Sequence, residues 1–342
     1  MKADHLVDRL ALFTNLVPQP LFEGFLAFAM ARTVMAATSL GVFAALEEHP
    51  DDGQGLARRL DLDPSGVDLL LGALRALGYV EHRDGRFHNA AVARHYLRPG
   101  PRSVEDWTGS FSYDMWEAFG ELERVLRTGG AQGIHAKAPD DGYWERYMRG
   151  LFQVARLSAP AFARVLALRE PRRALDLGGG HGAFAMALCA RHRALTTTIV
   201  ELEGAARIGR EIVSEQGFAD RVEFVVGDVF DADLGGGYDV AMANNVLHHL
   251  PPERCVELLA RARGALRPGG TMAVLDFARP PTGEPGDQAA VLTGLLFYVA
   301  SGASTYEPHT IGGFLAEAGF RDVRIRRHPE LAGSALVVGR RP

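Results

Sequence analysis

The chain has 342 residues, 47% of them hydrophobic, with 37 Lys and Arg against 42 Asp and Glu and a formal net charge of −5. That length and apolar content give a globular protein with room for two domains and a sizeable core, and exclude disorder. The mild acidity leaves no electrostatic footprint for nucleic acid or an anionic membrane surface, and points to a small neutral or mixed-charge partner.

The first residues, Met1 to His5, lack a basic segment ahead of a signal-type apolar core, and charged residues punctuate the later apolar runs. Neither export nor a membrane span is expected. Cys189 and Cys255, the two cysteines, each sit in an apolar helical pattern. They read as buried thiols in a reducing compartment, which fits the cytoplasm.

From Leu21 to Leu46 the pattern is helical, with Arg32 its only basic residue. Such an apolar stretch needs covering on several sides, and a two-fold interface would supply it, so a homodimer is expected. After the Pro50-Asp51-Asp52-Gly53 turn, Leu56 to Leu60 reads as a short helix. Asp63-Pro64-Ser65 then opens a second one running to Leu77. Tyr79 to His82 and Arg86 to His88 flank Arg83-Asp84-Gly85 as strand, tight turn and strand. Two helices followed by a hairpin make a winged helix. Its second helix carries only Arg75 as a base, together with Asp68, which favours protein interaction over a DNA-binding regulator. Gly100-Pro101 marks a domain boundary, giving a mostly helical N-terminal domain over 1–103 and connector helices plus a second domain over 104–342. The connector carries Trp107, Trp116, Tyr143, Trp144, Tyr147 and Phe152.

From Arg173 onward, strand and helix alternate. Strands are expected at Ala174 to Leu177, Thr197 to Val200, Val222 to Val226, Tyr238 to Ala243 and Gly270 to Asp276, with two closing strands at Val323 to Arg326 and Ser334 to Val338. This is an α/β domain with a mainly parallel sheet. The first strand breaks into Gly178-Gly179-Gly180-His181-Gly182 at a helix N-terminus, a geometry whose free N–H groups receive a polar or anionic part of a nucleotide. Asp176 precedes the glycines. Glu201, Asp228 with Val229, and Asn244 with Asn245 fall at the carboxyl ends of the next three strands, where open α/β sheets bind ligands.

Asp176 with Gly178 to Gly182, Glu201, Gly227-Asp228 and the Leu266-Arg267-Pro268-Gly269-Gly270 turn, in that order, resemble the motifs of class I S-adenosylmethionine-dependent methyltransferases. With the winged helix ahead of it, the chain looks like the small-molecule O-methyltransferases of plant phenolic and bacterial natural-product type, which dimerise through such a domain. The resemblance implies a Rossmann-like catalytic domain, S-adenosylmethionine as cofactor, and transfer of its methyl to a hydroxyl of a small aromatic or polyketide-type acceptor. It implies that Glu201 accepts from the ribose hydroxyls and that Asp228 serves the adenine end.

Family members carry a histidine base near the end of strand four, in a Leu-His-Asp-Trp motif. Here Leu247-His248-His249-Leu250 stands in its place, so His248 takes the base position. Asp276 and Glu307 match the carboxylates that orient such a histidine. An imidazole suits the task because its unperturbed pKa leaves it largely neutral at pH 7. Each residue keeps a second reading: His248 as a substrate contact, Asp276 as a strand-end carboxylate bonded to loop amides, Glu307 as a helix N-cap. No metal is required, although His248, His249 and His309 leave open a metal-assisted C-methylation, and N-methylation or a non-methylating role stays open on the same fold. Trp116, Tyr147, Met148, Phe297 and Tyr298 are the candidate pocket residues, with ordinary core as the alternative.

Overall fold

The computed structural model describes residues 20, 22–280, 288–326, 331 and 333–342. Leu21 and the segment Met1 to His5 lie outside them. The chain forms two compact units, the first ending at Asp114 and the second beginning at Met115.

In the first unit, a π-helical turn over Phe22–Leu26 leads into α1 (Ala27–Ser39) and then α2 (Val42–Glu48). The apolar run expected as one helix is thus broken, because Gly41 takes φ +75° and donates its N–H to Thr38. Asp52 caps α3 (Gly53–Leu60) by accepting from Gly55, and Asp63 caps α4 (Pro64–Ala76) by accepting from Gly66, with Pro64 preset in the first turn. β1 (Val80–Arg83) and β2 (Arg86–Asn89) pair antiparallel across Asp84 and Gly85, both at positive φ as a two-residue hairpin requires. Phe43, Leu46, Leu56, Val67, Leu71, Leu74 and Val80 form the core beneath, joined by α5 (Ala91–Tyr96) through Ala93. Residues beyond Gly100-Pro101 also belong here. The turn Trp107–Phe111 packs on α1 so closely that a Cβ on Gly109 would meet the Ser39 nitrogen at 3.2 Å.

The second unit opens with α6 (Ser112–Phe119), which begins in the first, followed by α7 (Leu122–Thr128), a 3-10 turn at Ile134–Ala136 and the long α8 (Tyr143–Leu166). The sheet strands are β3 (Arg173–Leu177), β4 (Thr196–Glu201), β5 (Val222–Val226), β6 (Tyr238–Asn244), β7 (Leu266–Phe277), β8 (Arg321–Arg326) and β9 (Ser334–Arg340). They lie in the order β5-β4-β3-β6-β7-β9-β8. The first five run parallel, and β9 returns antiparallel beside β7 and pairs antiparallel with β8. The connecting helices are α9 (Ala183–Arg191), α10 (Glu203–Glu215), α11 (Pro252–Ala265), α12 (Gln288–Ser301) and α13 (Pro308–Glu317). Continuous apolar runs in the middle strands, such as Val240 to Ala243, are buried on both faces. One element departs from expectation: Arg267-Pro268-Gly269-Gly270 is not a turn ahead of β7 but a bulge within it, where pairing with β6 jumps between Leu266 and Thr271. Among the described residues no single helix is long and apolar enough to cross a membrane.

Candidate active site

β3 and β6 are neighbours in the sheet, and the strand order reverses between them. In an open α/β sheet that switch leaves a crevice at the carboxyl ends of the strands. The glycine turn stands there. Gly178 at φ +67° and Gly180 at φ +47° take a backbone conformation that a side chain would oppose. Asp176, just before the turn, is buried with neither carboxylate oxygen bonded. Burial, reinforced by the charge of Glu201, pushes its pKa up to about 8. Glu201 closes β4 and accepts from the Gly180 N–H at 2.9 Å and the Leu202 N–H at 2.7 Å. Burial raises its pKa to about 7 against those two bonds, with Asp228 adding to the rise.

Asp228 lies exposed beyond β5 and accepts from the Phe230 N–H at 2.9 Å. Val229 beside it is half-buried, its carbonyl held by Arg261. At the end of β6 the side-chain nitrogen and oxygen of Asn244 are buried without a partner, and Asn245 turns the chain at φ +57°. A buried polar atom left unbonded costs stability, so Asp176 and Asn244 mark a place shaped for a polar ligand.

Gly209 on α10 keeps this turn in position, a role its sequence context does not reveal. A Cβ there would lie 2.3 Å from the Gly180 carbonyl oxygen and 2.8 Å from the Phe224 ring. Gly209→Ala is expected to destabilise the protein by about 1–3 kcal/mol, the usual range for overpacking, and to weaken cofactor binding. Denaturant titration with and without cofactor checks both effects.

Beyond β6 the chain forms a 3-10 turn, Leu247–His249. The Cys255 thiol and the Tyr306 hydroxyl fasten it from α11 and from the loop before α13, Tyr306 donating to the Leu250 carbonyl at 2.6 Å. His248 is 2% exposed, as is Asp276 at the end of β7. The His248 Nδ1 meets Asp276 Oδ1 at 2.5 Å, and the same carboxylate accepts from the backbone N–H groups of His248 and Phe277. A carboxylate ringed by donors fixes the Nδ1–H tautomer and leaves the Nε2 lone pair available. Phe297 from α12 stacks on the imidazole at 3.7 Å and 10°.

Glu307 stands at the N-cap position of α13, where its carbonyl takes the Thr310 and Ile311 N–H groups. Among the described residues, the side-chain partner of His248 is Asp276. His309 is exposed in the first turn of α13, and among the described residues no three His, Cys, Asp or Glu side chains gather to hold a metal ion.

α8 brings aromatic residues to the glycine turn. Met148 is buried with its sulfur 3.2 Å from where a Cβ on Gly180 would sit. Buried Tyr147 shares a 3.1 Å hydrogen bond with His135 Nε2, and the His135 ring stands edge-on to His249 at 4.5 Å. Ser301 Oγ at the end of α12 lies 3.0 Å from His249 Nδ1, and with His135 and Gly209 it is a residue of this region that the sequence does not single out. Trp116, by contrast, is 38% exposed on α6, and Tyr298 is half-buried on α12 one residue beyond Phe297.

Residues 117–321 match the model of the O-methyltransferase domain, and residues 22–99 that of the O-methyltransferase dimerisation domain. The chain is 30% identical over 318 residues to 3-hydroxy-5-methyl-1-naphthoate 3-O-methyltransferase of Streptomyces sahachiroi, covering 90% of this chain and 91% of that protein. It is 28% identical to the tetracenomycin polyketide synthesis 8-O-methyl transferase TcmO of Streptomyces glaucescens, over 95% of this chain and 97% of that one. Among solved structures, PigF with SAH superposes at a TM-score of 0.83 and 26% identity, over 95% of this chain and 99% of that one. With both domain models matched and the relatives aligned almost end to end, the chain belongs to the O-methyltransferase family and is an S-adenosylmethionine-dependent O-methyltransferase.

Proposed function

We propose that this enzyme methylates a hydroxyl of a small aromatic or polyketide-type metabolite, with His248 as the general base. The observation that carries the reading is the buried pair of Asp276 and His248, whose ring stacks on Phe297 and whose Nε2 has no hydrogen-bond partner among the described residues. S-adenosylmethionine supplies an electrophilic methyl group when bound. The residues present fit it: Asp176 and Asn244 have buried polar atoms that want partners, suited to its charged amino-acid end. Glu201 keeps lone pairs for ribose hydroxyls, and Gly178, Gly180, Asn245, Asp228 and Val229 complete the cradle.

His248 Nε2 takes the proton of the acceptor hydroxyl as that oxygen becomes nucleophilic, and the positive charge that gathers on the imidazole is balanced by Asp276. Met148 and Tyr147 from one side and Phe297 with Tyr298 from the other hold the acceptor ring in line, which supplies the proximity part of the rate. Trp116 and Glu307 are assigned weaker parts, at the edge of the acceptor pocket. Incubation with isotopically labelled cofactor and a panel of hydroxylated aromatics, read by mass spectrometry, tests the reading. Label on an acceptor oxygen supports it, and label on carbon or nitrogen overturns it.

The remaining assignments are a second copy of this chain as partner, no nucleic acid, and a cytoplasmic site. Phe25 at 59% and Leu69 at 77% exposure leave apolar surface on the first unit, the kind of patch that a two-fold interface covers. Sedimentation at micromolar concentration is expected to show a dimer that Phe25→Glu shifts toward monomer. A monomer at every concentration would remove that claim.

A further inference from the structure

The sheet edge formed by β7, β9 and β8 carries an arginine pattern that methyl transfer does not use. In Val323-Arg324-Ile325-Arg326 of β8 the apolar residues pack on the core that α11 and α13 share, and alternation turns both arginines to the opposite face. Val338 and Arg340 of β9, with Thr271 of β7 across from Arg340, lie on that same face. The chain leaving α8, from Leu166 to Pro171, walls a cleft of about 340 Å³ over it, a volume at the small end of ligand sites. Asp239 near the start of β6 and the Arg267 and Gly269 bulge of β7 close the cleft, at the opposite end of these strands from Asn244 and Asp276.

Five arginines line it, Arg169, Arg267, Arg324, Arg326 and Arg340, against two acids, Asp239 and Asp322. Asp239 is already committed: one oxygen takes Arg267 at 2.6 Å and the other takes the backbone N–H groups of Arg172 and Arg173. Arg326 is held by the carbonyls of Val165 and Leu166, and Arg340 by that of Gly269, bonds that fix each guanidinium and leave its charge unneutralised. The side chains of Arg169, Arg324 and Asp322 have no hydrogen-bond or ion-pair partner among the described residues. Three positive charges are thus in excess, and an anion seated among them relieves their repulsion. Ala167 at φ +49° and Asp322 at φ +52° hold left-handed backbone in the cleft wall, a conformation that costs a non-glycine residue energy and gathers where folds shape a site.

We propose that this cleft is a second ligand site, which binds a small molecule through two or more linked phosphate groups. The guanidinium fork matches phosphate oxygens two at a time. One phosphate group carries about two charges at neutral pH, short of the three in excess, and a linked phosphate supplies the rest. No aromatic side chain lines the cleft, so a nucleobase on the ligand finds no ring to stack on and recognition rests on the phosphates. The inference does not depend on which acceptor is methylated or on the role of His248.

The test is calorimetry on the full chain saturated with S-adenosylhomocysteine, so that adenosine compounds cannot bind in the cofactor cradle, in magnesium-free buffer at about 0.15 M salt. Pyrophosphate and ATP are expected to bind once per chain with affinities within about threefold of each other and at least about tenfold tighter than inorganic phosphate, and adenosine not to bind. Arg324→Gln and Arg169→Gln each weaken pyrophosphate by about tenfold, as loss of a charge-assisted hydrogen bond does, and Arg324→Lys, which keeps the charge without the fork, recovers only part of the loss. Asp322→Asn, a residue that tolerates positive φ, removes an acid from the wall and tightens pyrophosphate about two- to fivefold. Methyl transfer by these variants stays within about twofold of wild type, and their affinity for S-adenosylhomocysteine reports folding. Pyrophosphate bound no more tightly than phosphate, or an affinity that the Arg169, Arg324 and Asp322 substitutions leave unchanged, overturns the site. ATP bound at least tenfold more tightly than pyrophosphate overturns recognition through the phosphates.

Discussion

Replacing His248 with alanine is expected to lower kcat by about 10²- to 10⁴-fold, the usual contribution of a positioned general base, while cofactor affinity stays within about twofold. The split follows from where the imidazole is anchored. Its bonds run to Asp276 and its stacking to Phe297, whereas the glycine turn is held by Glu201 and Gly209. Asp276→Asn is the sharper companion. The native carboxylate accepts from three donors, the His248 ring, the His248 backbone and the Phe277 backbone. An amide at that place turns its NH2 toward one of them. Either a backbone N–H loses its acceptor or the ring is driven to the other tautomer, which puts a hydrogen on Nε2 and removes the base. Turnover by mass spectrometry and cofactor binding by calorimetry check both variants. Turnover unchanged in His248→Ala, or affinity lost in proportion to turnover, would overturn the role given to His248.

What was legible in the sequence follows from how local each signal is. The glycine turn, the strand-end acids and the winged helix are written in contiguous residues whose chemistry and spacing have few alternatives. Asp176, Glu201 and Asn244 are therefore singled out as candidates without the fold. His248 and Asp276 were placed through the family motif, but their 2.5 Å contact joins residues on different strands and needed the sheet to bring them together. Three features stayed hidden for the same reason. His135 lies in a glycine-rich connector with no periodic pattern around it, and only the fold carries it to Tyr147 and His249. Gly209 looks like any small residue on a helix until its approach to the Gly180 carbonyl is seen. Ser301 gives no sign in sequence that its hydroxyl lies 3.0 Å from both the Phe297 carbonyl on its own helix and His249 Nδ1. The break at Gly41 was missed because the apolar run continues through it, and periodicity reports which residues are buried more readily than where a helix ends.

Cofactor affinity is expected to rise with pH between about 6 and 8, by up to about tenfold per unit for each proton released, while the cofactor-free protein becomes less stable over the same range. Both effects come from Asp176 and Glu201: burial and the charge of Glu201 raise the first to about 8, and burial with the charge of Asp228 raises the second to about 7. In the unfolded chain such groups titrate near 4. Between that value and their folded values the native state holds more protons than the unfolded state. Its stability is therefore full below about pH 4 for these two groups and is lost as pH rises through 7 to 8. A bound cation reverses the balance, because it pairs with the ionised carboxylate and makes protonation unfavourable; binding must then expel protons. Calorimetry in buffers of different ionisation enthalpy measures that release directly. Asp176→Asn should flatten the pH slope of the cofactor-free protein and raise its stability at pH 8, while weakening cofactor binding on the order of 10²-fold by leaving a buried cation unpaired. If the variant binds cofactor as tightly as the wild type, with the same proton release, the charged end of the cofactor lies elsewhere, and the unpartnered oxygens of Asp176 serve the fold alone.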